Sequence, residues 1–119
     1  MGEDSAVARY AAEFVGTFML IFTIGCNVLS GQPVWGGVSI ACGLTVTIYA
    51  LGKSSGANFN PAVSLALGLC NKLAWLEVAI YMGVQLVAGI LAGIYIESCE
   101  VDSLCTIMAD GGISKCVHM

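Results

Sequence analysis

Charge is what this chain lacks most: of 119 residues only four are Lys or Arg and eight are Asp or Glu, with a single histidine. From Ala11 to Ile96 the only charged residues are Glu13, Lys53, Lys72 and Glu77. A basic nucleic-acid surface is thereby excluded, and so is the charged shell that keeps a globular domain in water. The one histidine, His118, is next to last, and no nucleophile with a base or phosphate-binding loop presents itself, so no enzyme and no cofactor are expected. The spacings of the six cysteines fit no zinc pattern with it, so no metal is expected either. Asn-x-Ser/Thr acceptor sites are missing. Targeting signals are not expected either: Met1 to Tyr10 sets Glu3 and Asp4 against Arg9, the apolar stretch that follows outruns a signal core, and Ala6 stands where a myristoylation signal needs Ser or Thr.

What remains is apolar: 58% of residues are hydrophobic and the mean hydropathy is +0.90, the composition of an integral membrane protein. Three stretches, 11–29, 34–52 and 75–96, are each long enough to cross a bilayer with some tilt. The expected fold is therefore all-α and membrane-spanning. Tyr10, Trp35, Trp75 and Tyr95 stand near the ends of these stretches, either as headgroup-level anchors or as ordinary packing residues. Arg9, Lys53 and Lys72 would share one side, with only Lys115 on the other, so residues 1–9 are expected in the cytoplasm and the 97–119 tail outside or in a lumen. With Gly111-Gly112 and no periodicity, that tail reads as disordered.

Between the second and third stretches lies a shorter one. The ten residues from Pro61 to Cys70 would rise only about 15 Å as a helix, half of a hydrocarbon core. Asn60 followed by Pro61 is favoured chemistry for starting a helix abruptly, since Pro forfeits no useful donor there. Before it, Gly52 to Asn60 is rich in Gly, Ser and Asn and reads as irregular backbone, which in lipid must be buried in protein or line a watery cavity. A re-entrant loop and half-helix over 53–70 follows. The tripeptide alone would favour a turn before an ordinary core helix; the three spans around it favour the half-helix. Asn60 could accept a first-turn N–H through its side-chain oxygen and keep its NH2 for a solute, while the helix dipole repels cations.

Ala12-Glu13-Phe14-Val15-Gly16-Thr17 and Ser55-Gly56-Ala57-Asn58-Phe59-Asn60-Pro61-Ala62-Val63-Ser64 together resemble the first half of the aquaporin, or major intrinsic protein, family. The resemblance implies three spans and one re-entrant loop, with the pore lined by Gly56, Ala57, Asn58, Phe59, Asn60, Pro61 and Ala62. It also implies that Ile40, twenty residues before Asn60, occupies the narrowest ring, Cys42 taking that place if the register shifts by two. Glu13 and Gln85, costly in lipid unless they face inward, would brace the loop. Asn58 stands where the family commonly has histidine. A second Asn-Pro-Ala is missing from the 119 residues, so one subunit would supply half a pore wall.

Three functions compete on these terms. The first is a half-length channel for water or small neutral solutes, completed by a complementary family chain or by self-association in lipid. The second is a non-conducting fragment or regulatory subunit of full-length aquaporins. The third is a small proton-coupled exporter of dual topology using Glu13. In a lone three-span unit, Glu13, Gln85 and the loop backbone are expected to face a side with no protein. Cys26, Cys42 and Cys70 read as small buried hydrophobes. If the tail is lumenal, Cys99, Cys105 and Cys116 could form a disulfide. Gly89-x-x-x-Gly93 reads as packing within the bundle or, second, between chains.

Overall fold

The computed structural model describes residues 6–29 and 33–109, with side chains described for 6–29 and 35–98. Four helices follow one another: α1 (Ala6–Leu29), α2 (Pro33–Ser55), α3 (Pro61–Leu69) and α4 (Trp75–Ala109). Three contain segments long and apolar enough to cross a membrane, Ala6–Leu29, Trp35–Ser55 and Trp75–Ser98. α1 packs against both α2 and α4, and α3 against α4.

Close contacts fix how these helices run. Arg9 pairs with Glu77 at 2.7 Å, so the start of α1 lies beside the start of α4 and the two are parallel. α2 is antiparallel to α1, with Asn27 Nδ2 donating to Ser39 Oγ (3.1 Å) and a Cβ on Gly43 falling 3.5 Å from Thr23. α3 runs against α4, because Ser64 bonds Gln85 while a Cβ on Gly68 would come within 2.7 Å of Val78. The α2–α3 segment therefore dips inward and returns to the side it left. Its tip, Asn60, lies about level with Gln85 to Ile90, the middle of the Trp75–Ser98 span.

Local chemistry sets the ends of α3. Asn60 is the N-cap, in extended conformation, and its Oδ1 accepts from Ala62 N–H at 2.9 Å. At the other end Asn71 is left-handed (φ 54), and the Lys72 and Asn71 N–H groups donate to Leu67 and Gly68 carbonyls, a Schellman-type stop.

Boundaries differ from expectation in three places. α1 begins at Ala6, where Arg9 is held by Glu77. Irregular backbone does not begin at Gly52: α2 stays helical through Ser55, Gly56 N–H still reaching the Gly52 carbonyl, and the break falls at Gly56, where φ is +90. The tail read as disordered from 97 is helical as far as Ala109, and no Gly or Pro falls between Glu97 and Asp110 to interrupt it. Residues 110–119, including Cys116 and His118, lie outside the described residues, as do the side chains of Cys99 and Cys105.

Two packing expectations are also corrected. Cys26, Cys42 and Cys70 are exposed rather than buried. In a membrane bundle the outer surface meets lipid tails, where a small apolar side chain is equally at home. Gly89 and Gly93 do not serve packing within the bundle, since a Cβ on either would meet no atom within 4 Å among the described residues. Close approach is made instead at Gly16, Gly25 and Gly68, by the side chains of Phe59, Ile96 and Val78.

Candidate functional site

The loop from Gly56 to Asn60 is strained and held from several sides. Gly56, Ala57 and Phe59 all have positive φ (90, 54 and 48), a conformation that costs a non-glycine residue on the order of 1–3 kcal/mol and persists only where the surroundings impose it. Here those surroundings are polar and buried. Glu13 Oε1 accepts from Asn58 N–H (2.9 Å), and its Oε2 accepts from Phe59 N–H (2.7 Å) and from Gln85 Nε2 (2.8 Å). Gln85 Nε2 also donates to Ser64 Oγ at 2.9 Å. Asn58 Nδ2 donates to the same hydroxyl (3.2 Å), which in turn donates to Gln85 Oε1 (3.3 Å).

Glu13 and Ser64 are fully buried and Gln85 nearly so. This overturns the expectation that Glu13 and Gln85 of a single chain face a side without protein, and the Asn58 and Phe59 amides are covered with them, whereas Gly56 and Asn60 stay exposed. Five groups from α1, the loop, α3 and α4 satisfy one another inside one subunit, so no partner is required to bury them. Glu13 thereby has all its acceptor capacity turned inward. That leaves it no open face from which to couple protons to a solute, as the exporter reading requires.

Two braces go unassigned in the sequence reading. Tyr81 is buried, donates through its hydroxyl to the Ser55 carbonyl at 2.9 Å, and meets Tyr10 edge-on with ring centroids 5.9 Å apart. It satisfies the last carbonyl of α2, a group left without a helical partner by the turn at Gly56. Gly16 is the second: a Cβ there would overlap the Phe59 ring, so its absence makes the slot in α1 that the ring fills. A phenol four residues before Gln85 is visible in sequence as one helix face, but its target carbonyl is not. Tyr81→Phe is expected to cost about 1–2 kcal/mol and to speed hydrogen exchange at the Gly56 to Phe59 amides; unchanged exchange there would remove Tyr81 from the brace.

The residues expected to line a pore divide in two. Asn58 and Phe59 turn their side chains into the protein, whereas Gly56, Asn60 and Ala62 are exposed and Ala57 and Pro61 half-buried. Asn60 Oδ1 is occupied by Ala62 N–H, and among the described residues its amide NH2 donates to nothing. Beside it a cleft of about 470 Å³ opens between α1 and α4, with Thr17, Leu20, Ile24, Leu86 and Ile90 among its walls. Ile40 is not brought to this cleft. It is half-exposed on α2, fifteen residues or about 22 Å of helix before Ser55.

Fold and site together define a helical membrane protein whose re-entrant half-helix starts at mid-depth from an asparagine cap. A family model described as major intrinsic protein matches residues 3–116, and the chain belongs to that family. It is 39% identical over 94 residues to aquaporin NIP1-1 of Oryza sativa subsp. japonica, covering 72% of this chain and 33% of the relative. To aquaporin NIP3-1 of Arabidopsis thaliana it is 40% identical over 96 residues (74% and 29%), and to aquaporin Z of Photorhabdus laumondii 43% over 93 residues (71% and 40%). The chain thus spans about a third of the length of the curated relatives it matches. No solved structure matches it.

Proposed function

We propose that this chain forms half of a channel for water or small neutral solutes, with its N-terminus cytoplasmic. The other half comes from a complementary family chain or from a second, inverted copy. One observation carries the reading: Asn60 presents a free amide at mid-depth, at the positive end of α3, beside an open and otherwise mostly apolar cleft. Such a group offers a hydrogen bond to a neutral solute's oxygen, while the dipole of about half a charge disfavours cations. The exposed Gly56 of the loop and Ala62 of α3 flank it on either side in sequence, and Ile40 of α2 narrows the path farther out.

The half-pore is tested by osmotic swelling of vesicles holding this chain alone, or this chain with a full-length relative. Water permeability above that of empty vesicles is expected in at least one case. Asn60→Leu should lower the added permeability roughly tenfold, the worth of one hydrogen bond of about 1.4 kcal/mol to the passing solute. No gain over empty vesicles, alone or mixed, sinks the reading. A second reading is a non-conducting subunit bound to full-length relatives. That subunit would co-purify with them and change their permeability while adding none itself.

A further inference from the structure

Threonines in these helices turn their hydroxyls onto their own backbone, and one does not. Thr23 and Thr45 each donate to the carbonyl four residues before, Met19 and Ala41 (both 2.7 Å), and Thr47 donates to Gly43 in the same way. Thr17 is only 3% exposed, yet its hydroxyl has no partner among the described residues. A buried hydroxyl left unbonded is destabilising, so an orphan of this kind calls for a partner from outside the chain. Thr17 lines the cleft beside Asn60, whose amide NH2 likewise donates to nothing among the described residues. Two polar groups, one from α1 and one from the cap of α3, therefore lack partners at one place.

The shape of the cleft says what that partner is. α1 and α4 run parallel while α3 recedes from Asn60 toward the start of α4, so Asn60 and Thr17 stand at the inner end and the walls continue along the later turns of both long helices. Those walls are aliphatic, with Leu20 and Ile24 following Thr17 on one face of α1 and Ile90 on α4. Gly89 widens the gap, since a Cβ there would meet nothing within 4 Å. The run from Thr17 to Ile24 is about 10 Å long and the cleft holds about 470 Å³, the size of small-molecule sites built from apolar walls and a few placed polar groups. Charge of either sign is disfavoured at the inner end: a cation meets the positive end of α3, and an anion stands beside Gln85, which is bonded to Glu13 at 2.8 Å. One neutral hydroxyl answers both orphans, its oxygen accepting from Asn60 NH2 while its hydrogen or second lone pair engages Thr17. A plain acyl chain would fill the walls and leave both unbonded. We propose that this cleft binds an unbranched aliphatic alcohol, its hydroxyl held between Asn60 and Thr17 and its chain laid along Leu20, Ile24 and Ile90. Thr17 turns its hydroxyl onto the ligand by rotation about χ1, which has two accessible wells for threonine in a helix. The site goes beyond the half-pore, since it needs the amide, the hydroxyl and the walls but no conduction.

Magnetic resonance of the full chain in bicelles, isotope-labelled at the asparagine side-chain amides and the isoleucine methyls, tests it by titration with hexanol, and with hexane at the same loading. The Asn60 NH2 signal and the Ile24 and Ile90 methyls are expected to shift together and saturate with hexanol, whereas hexane leaves the Asn60 signal in place. Thr17→Val should raise the dissociation constant about 3- to 10-fold, the loss of one neutral hydrogen bond. Because it discards a hydroxyl that bonds nothing in the free chain, this variant should fold as wild type does. Thr17→Ser keeps the hydroxyl and should bind hexanol like the wild-type chain. Shifts that grow linearly with hexanol, or that hexane reproduces, would show alcohol acting on the bilayer or hydrocarbon filling the walls, and would overturn the proposal. So would Thr17→Val binding hexanol as tightly as wild type. A cleft that shows no shift at all is closed to alcohols by lipid chains or by a second copy, and that result overturns it too.

Discussion

Glu13→Ala should be among the most damaging single changes in this chain, lowering stability by about 3–6 kcal/mol. It strands three donors at once, the Asn58 and Phe59 N–H groups and Gln85 Nε2. Each unsatisfied buried donor costs roughly 1–3 kcal/mol, and the total falls toward the lower part of that sum because Gln85 keeps its bond to Ser64. Glu13→Gln should cost less, about 2–3 kcal/mol, since it retains one oxygen but turns an NH2 toward donors. Unfolding of the purified chain in bicelles measures both. An alanine variant within 1 kcal/mol of wild type would mean that the loop does not depend on this carboxylate.

The second large effect is a paired one. Gly16→Ala places a methyl inside the Phe59 ring, whose neighbours are packed and whose own backbone is left-handed, so the ring must move and take the loop with it. A loss of about 2–3 kcal/mol is expected, at the upper part of the range for overpacking. Phe59→Ala should cost about 3–5 kcal/mol by emptying the slot. In that emptied background Gly16→Ala has room, and its own cost should fall below about 0.5 kcal/mol. Additive losses in the double variant would show that the ring and the glycine do not share one space. The same variants report on function: if the proposed channel conducts, displacing Phe59 shifts Asn60, its immediate neighbour, and permeability should fall with stability.

Much of the bundle was legible in the chain itself because its causes are local. Spans announce themselves by length and hydropathy, and Asn60-Pro61 announces a helix start because cap chemistry involves only neighbouring residues. The half-helix stop was less visible, since Asn71 in a left-handed conformation has no unambiguous signature. Gly52 to Ser55 illustrates the limit: their composition suggests a loop, yet α2 continues to Ser55 and breaks only where Gly56 turns. Likewise Gly89 and Gly93 carry a packing motif, and no described residue of the bundle packs on them.

The sequence by itself determined the solvent, the number of crossings and the place where a short helix begins, all properties that residues close together impose through burial cost and backbone chemistry. Only the tertiary structure decided what closes the loop: that Glu13, forty-five positions before Asn58, meets its N–H; that Ser64 joins the pair; that Tyr81 reaches Ser55; and that Gly16 makes room for Phe59. Hydrogen bonds and ring packing are satisfied across space, between side chains whose separation along the chain carries no trace of their distance.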